Sequence, residues 1–141
     1  MPTYYATVDR LQANPGPHIG EINDVATQPN VSTHIRDING FRGAGQHTIG
    51  TTKVVSMRVV AVNLTYRTNT NPTIFPTVRV VTCIDVTDAH VVDNKTGKVF
   101  AVASRPDFYT ETLTMVDVGY PASNGWRVAM DKNAPVKSCA G

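Results

Sequence analysis

The stretch Thr77-Val78-Arg79-Val80-Val81-Thr82-Cys83-Ile84-Asp85-Val86-Thr87-Asp88 decides how the chain is read. Val78, Val80, Thr82, Ile84 and Val86 fall on one face, and Arg79, Val81, Cys83, Asp85 and Thr87 on the other. A period of two with this β-branched content fits a pleated strand and not a helix. The strand is expected over Ile74–Asp88, with Pro76 near its start, where a missing N–H costs least. Cys83 sits in its middle, and the only other cysteine, Cys139, is two residues from the end of the chain.

Working outward, the same period continues on both sides. Downstream, Val91–Asp93 and Lys98–Ala101 flank Asn94-Lys95-Thr96-Gly97 as a small hairpin. Phe108–Val118 carries Tyr109, Leu113 and Met115 on one face and Thr110, Thr112 and Thr114 on the other. Gly125–Asp131 brings Trp126, Val128 and Met130 to one side, and a tail with Pro135 leads to Cys139. Upstream, Thr51–Tyr66 places Val55, Met57 and Val59 on one face, then Val60, Val62, Leu64 and Tyr66 on the other. That switch of parity predicts a bulge or bend near Val59–Val60.

Before Gly50 the period is helical. Thr3–Leu11 carries Tyr4, Tyr5, Val8 and Leu11; His18–Thr27 carries Ile19, Ile22 and Val25; Ser32–Phe41 carries Ile35, Ile38 and Phe41. Thr3, and Ser32 or Thr33, are expected as N-caps. Asn14-Pro15-Gly16-Pro17, Pro29-Asn30 and the glycines at 40, 43 and 45 are expected to stop the three helices. Helices first and strands afterwards predict an α+β fold, with three short N-terminal helices packed on one face of a curved antiparallel sheet. The 141 residues make a single domain: a helical layer over about 3–42, a sheet over about 51–131 and a tail over 132–141. A curved meander around a helical layer makes a cone with an apolar mouth.

Composition narrows the function. Hydrophobic residues are 41% of the chain and charged residues 17%, a globular balance. The 13 basic residues are scattered singly, with no interleaved aromatics, which excludes a nucleic-acid or polybasic membrane surface. No apolar run approaches the ~20 residues of a transmembrane segment. No charged start followed by a short apolar stretch is present, so the chain is read as beginning after a removed leader. Two cysteines 56 apart, with no CxxC and no nearby His pair, suit one disulfide better than a metal site. The alternative is a cytosolic protein with two buried thiols. His18, His34, His47 and His90 show no ligand spacing and read as surface or capping residues, so no metal and no cofactor is expected.

Several motifs occur in a familiar order. Val80-Val81-Thr82-Cys83-Ile84-Asp85-Val86 is followed by Val91-Val92-Asp93, a turn over Lys95–Lys98, Arg105-Pro106, Gly125-Trp126-Arg127-Val128 and a terminal Ser138-Cys139. Asp24-Val25-Ala26-Thr27 and the Gly-rich turn before Thr51 fit the same layout. This order resembles a family of small secreted or lipid-anchored proteins of actinobacteria, mycobacteria and relatives, and of their phages. The resemblance covers roughly residues 5–139. It implies the cone-shaped fold of the nuclear-transport-factor-2-like superfamily, a Cys83–Cys139 bridge, an extracytoplasmic location and no established activity. The chain departs from the family's pattern in having no signal segment and no lipid-attachment cysteine near Met1.

The same cone hosts ketosteroid isomerases and polyketide cyclases, which place an acid or base in an apolar mouth where burial shifts its pKa. By that analogy Asp85 is the first candidate, Glu111 the second, and Tyr109 or Tyr66 would donate to an oxyanion. The plainer reading turns both carboxylates outward, or pairs them with Arg79, Arg58 or Arg127 across strands. Ile22, Ile35, Ile38, Phe41, Val59, Leu113, Met115 and Trp126 are expected to fill the core or to line a pocket for an apolar ligand. The leading expectation is an exported, non-enzymatic binding module of the cell envelope, whose partner is an envelope protein or a small apolar ligand. A pocket enzyme of the isomerase or cyclase kind is the alternative. A homodimer through the sheet, along the Thr110, Thr112 and Thr114 stripe, is a further expectation.

Overall fold

The computed structural model describes residues 2–14, 16 and 18–140. Two α-helices, α1 (Pro2–Ala13) and α2 (Asn30–Gly43), flank a short 3₁₀ helix (Ile19–Asp24). Six strands follow: β1 (Gln46–Ile49), β2 (Lys53–Asn63), β3 (Thr77–Asp85), β4 (His90–Asp93), β5 (Phe108–Asp117) and β6 (Trp126–Val136). Strands β2-β3-β5-β6 form a four-stranded antiparallel sheet in that order, and β1 pairs with β4 in a separate two-stranded one. The fold is α+β, as the patterning predicts.

Where the elements begin and end differs from the periodic reading, for local reasons. Thr3 lies inside α1, and α2 starts at Asn30 with Pro29 at its cap position and no side-chain cap. Ser32, inside the first turn of α2, donates instead to Gln28 Oε1 at 2.7 Å. Pro15 and Pro17, expected to stop the first helix, lie outside the described residues. The middle helix is a single 3₁₀ stretch, because the chain at Val25–Thr27 turns to bond with β6: Thr27 N donates to Val128 O and Val128 N to Val25 O, each at 2.9 Å. Strand β1 was not foreseen, since four residues just after Gly45 carry almost no alternation. Strand β4 pairs with it, and the expected Lys98–Ala101 arm lies on the other side of β4, bridged at Val92–Val99, with Asp93 N donating to Lys98 O at 2.9 Å and Phe100 N to Val91 O at 2.8 Å. Strand β6 runs to Val136, well into the expected tail. Pro135 is tolerated there because β6 is an edge strand, and a missing N–H can face outward.

The face assignment of β3 holds. Val80, Thr82 and Ile84 are buried under the helices, opposite Leu113, Glu111 and Tyr109 of β5. Ile22, Ile38, Leu113 and Val128 are completely buried and join Tyr4, Tyr5, Leu11 and Val31 in one core. Ile35 and Met115 pack on its margin. Val59, expected in the core, is 59% exposed, because no helix reaches that part of β2. Trp126 is half-buried opposite Asp117 and stands outside the core cluster.

Cys83 and Cys139 form a disulfide with their Cα atoms 5.6 Å apart. Strand β6 ends beside the start of β5, and the tail then reaches the next strand over, fastening to β3 on the face away from the helices. Among the described residues no helix is long and apolar enough to cross a membrane. Closing a loop of 56 residues removes denatured-chain entropy worth about 4 kcal/mol at 25 °C. The double substitution Cys83→Ala and Cys139→Ala is therefore expected to lower the free energy of unfolding by about that amount in a denaturant titration. A change below about 1 kcal/mol would contradict a stapling role for the bridge.

A candidate ligand cleft between the helices and the sheet

Two adjacent residues of α1 organise the interior. Tyr5 points at the sheet, where its hydroxyl lies 2.7 Å from Glu111 Oε2 on β5 and 2.7 Å from Thr82 Oγ1 on β3. An ionised carboxylate can only accept, so Tyr5 donates to Glu111 and accepts from Thr82. Tyr4 turns the other way. Its hydroxyl donates to Asp131 Oδ2 on β6 at 3.0 Å and accepts from Asn30 Nδ2 of α2 at 3.0 Å. His34 Nε2, also on α2, lies 2.8 Å from the same oxygen. With the Tyr4 proton committed to Asp131, His34 must be the donor, which assigns its proton to Nε2. The two tyrosine rings meet edge to face, 5.3 Å apart.

Burial sets the protonation of these groups. It holds the Glu111 carboxyl above the ordinary carboxylate range, against the Tyr5 hydrogen bond and with help from the negative charge of Asp131. It pushes His34 below its usual value, although Asp131 and Asp37 pull the other way. Both phenols are raised, first by burial and then by the carboxylates facing them, so they stay protonated donors. A neutral imidazole, two phenols and a carboxyl of raised pKa can bind a polar group or shuttle a proton.

These side chains line a chamber of about 460 Å³ that also takes in Tyr109 and Asn133. Next to it lies a groove of about 450 Å³ with apolar walls formed by Phe41, Val86, Val91, Phe100 and Val102. Asp9, Gln12, Thr52 and Val86 border both spaces, so the two form one cleft with an apolar end and a polar end. The boundary is held by Asp9, whose carboxylate accepts from Thr52 N at 2.6 Å and from Thr52 Oγ1 at 2.8 Å. Arg105, at the groove's rim, is held by the backbone carbonyls of Val86 and Ala89. Gly50 makes the turn from β1 toward β2: its φ is +83°, and a Cβ there would fall 1.9 Å from Asp88 O.

The structure separates the sequence candidates. Glu111 and Tyr109 lie on the helix side of β5, in the chamber. Asp85 does not: it lies on the opposite face, half-buried, and caps its own turn by accepting from Thr87 N and Thr87 Oγ1. Those bonds hold its carboxyl below the usual carboxylate range. Tyr66 lies in a separate cluster with Tyr120 and Phe75, at ring distances of 4.7 and 6.0 Å. Phe41 is a wall of the groove. His34, read as surface or capping, is buried. Tyr4, Tyr5 and Asp131 went unread as polar groups, since the tyrosines resemble an ordinary apolar stripe. Glu111 and Asp131 stand at inward positions of neighbouring strands, opposite Asn133 and Leu113 respectively.

No family model matches the chain, and no curated protein matches it. Among solved structures it is similar to the intermembrane-space region of the chloroplast protein ARC6, with a TM-score of 0.55 and 11% identity over 95% of this chain and 91% of that one. At that identity the likeness supports the α+β fold and says nothing of what occupies the cleft.

The shifts of His34 and Glu111 have opposite consequences for stability. His34 titrates lower in the folded protein than its ordinary 6.5, so the unfolded chain takes up the proton first and stability is lost as pH falls below about 6.5. Glu111 titrates above its ordinary 4.5 when folded, so its ionisation costs stability as pH rises from about 4.5 through the raised value. His34→Gln is expected to lose less stability than the wild type between pH 7 and pH 5. Glu111→Gln should gain on the wild type most at pH 7 and least near pH 4.5. Denaturant midpoints across that range check both, and parallel profiles for all three proteins would contradict the assigned directions.

Proposed function

We propose that the chain is an exported, non-enzymatic binding module of the cell envelope, of the nuclear-transport-factor-2-like kind found in actinobacteria and their phages. Its cleft takes a small, mostly apolar ligand. The observation that carries this reading is the groove of about 450 Å³, whose apolar walls include Phe100 and Val102, 46% and 64% exposed. A volume of that order suits a small ligand. Large apolar side chains exposed around a concavity are the usual mark of a binding site. The adjoining chamber offers hydrogen-bonding groups to the ligand's polar end. An envelope protein presenting one apolar side chain would use the same groove. The Cys83–Cys139 bridge supports an oxidising compartment outside the cytoplasm.

Val102→Asp puts a charge into the groove at a position where the wild-type side chain is mostly exposed, so folding is expected to persist. Long-chain alcohols and fatty acids are expected to raise the melting temperature of the wild type, and the variant should lose that shift. No shift with any apolar compound would contradict the proposal.

A second reading, a pocket enzyme of the ketosteroid isomerase or polyketide cyclase kind, is favoured by one observation. Glu111 is an acid of raised pKa held against a phenol inside a chamber. The two readings part on Glu111→Gln, which keeps an acceptor for Tyr5. An enzyme using this carboxyl would lose turnover by about 10²-fold or more, whereas a binding module would keep its affinity for apolar ligands.

A further inference from the structure

The free edge of the four-stranded sheet is β2, and its sequence treats one face as though it were core. Val54, Met57, Val59 and Val62 stand opposite Ile84, Thr82, Val80 and Val78, on the side where the helices pack. Lys53, Ser56, Arg58, Ala61 and Asn63 stand on the other side. A strict alternation could not sort these residues so cleanly. Two register shifts, between Val54 and Ser56 and between Val59 and Ala61, each insert one extra valine and restore the phase. The result is a charge-free apolar row on one face and a polar row on the other. Val54, at the start of the strand, packs on the core, but among the described residues nothing covers the rest of the row. Val55, Met57, Val59 and Val62 are 53%, 54%, 59% and 59% exposed, Val60 is 40% exposed, and Leu64, just beyond the strand, is 68% exposed.

We propose that this row is the interface between two copies of the chain, related by a two-fold axis, each copy's β2 covering the bare part of the other's sheet. Three features favour a second copy. The first is area. Met57, Val59 and Val62 of the row, with Leu64 just beyond the strand and Val55 and Val60 at the two register shifts, amount to about 500 Å² of largely apolar exposed surface. Doubled by a two-fold, that gives about 1,000 Å² from these side chains alone, near the lower bound for a specific interface. The second is charge. Neither Lys53 nor Arg58 belongs to the row, so a self-contact brings no like charges together within it. The third is symmetry. A row of similar side chains is complementary to itself when reversed, which an isologous contact requires. The polar Thr110, Thr112 and Thr114 stripe, on the other face of the sheet, has no comparable apolar area.

Sedimentation velocity across a concentration series tests this. The wild type is expected to move from one chain mass to two as concentration rises, and Val59→Lys should shift that transition at least 100-fold upward. Val59 is mostly exposed in one copy, so the variant should keep the wild-type melting temperature at concentrations where both are monomeric. Arg58→Glu, a larger change of charge on the adjacent but opposite-facing residue, should leave the dimer in place. A wild type that stays monomeric up to millimolar concentration overturns the proposal. So does a Val59→Lys protein that dimerises as well as the wild type, or an Arg58→Glu protein that loses the dimer equally.

Discussion

The Tyr4-Tyr5 pair holds α1 to everything else. Consecutive helix residues point about 100° apart, so one dipeptide reaches two different partners. Tyr5 bonds to β3 and β5 through Thr82 and Glu111, and Tyr4 bonds to α2 and β6 through Asn30, His34 and Asp131. Five elements are thereby fixed relative to one another by two hydroxyl groups. The rings supply apolar burial as well, being 4% and 6% exposed. The polar groups would each be costly if left unpaired in such a place, roughly 1–3 kcal/mol apiece, so the network specifies one seating of the helix over the sheet.

That seating creates the cleft. Bonded to β3, β5 and β6 through the tyrosines and packed on β1, α1 forms one wall of the apolar groove, with β1, β4 and the segment after Val99 as the others. Asp9, two turns or less from the tyrosines on the same helix, closes the cleft partway by capping Thr52. The space on one side of that closure is apolar and the space on the other carries the acids and the imidazole. The same seating leaves β2 uncovered, so one packing decision yields both the concave groove and the bare apolar row.

Much of the fold could be read from the residues. The period of two in Val78–Ile84 and the inward set Tyr109, Leu113 and Met115 appear as expected, and the parity switch at Val59–Val60 marks a real register shift. The elements misread are those governed by contacts distant in sequence. Strand β1 is short and shows no alternation, so only its partner β4 defines it. The 3₁₀ helix ends early because β6 captures the segment after it. The site was half legible. Glu111 follows from alternation alone, but placing Asp85 of β3 outside the chamber needed the sheet's sidedness. His34 and the tyrosine hydroxyls find partners 26 to 127 residues away, and no local pattern records such pairing.

The central claim is that the cleft beneath Tyr4 and Tyr5 is a binding site with an apolar end. Methyl-resolved NMR during titration with a medium-chain fatty acid addresses it most directly. The account predicts saturable shifts at the methyls of Val86, Val91 and Val102, with Val59 and Val62 on β2 unmoved. Shifts confined to the β2 valines, or no saturable shifts in the groove, would contradict it.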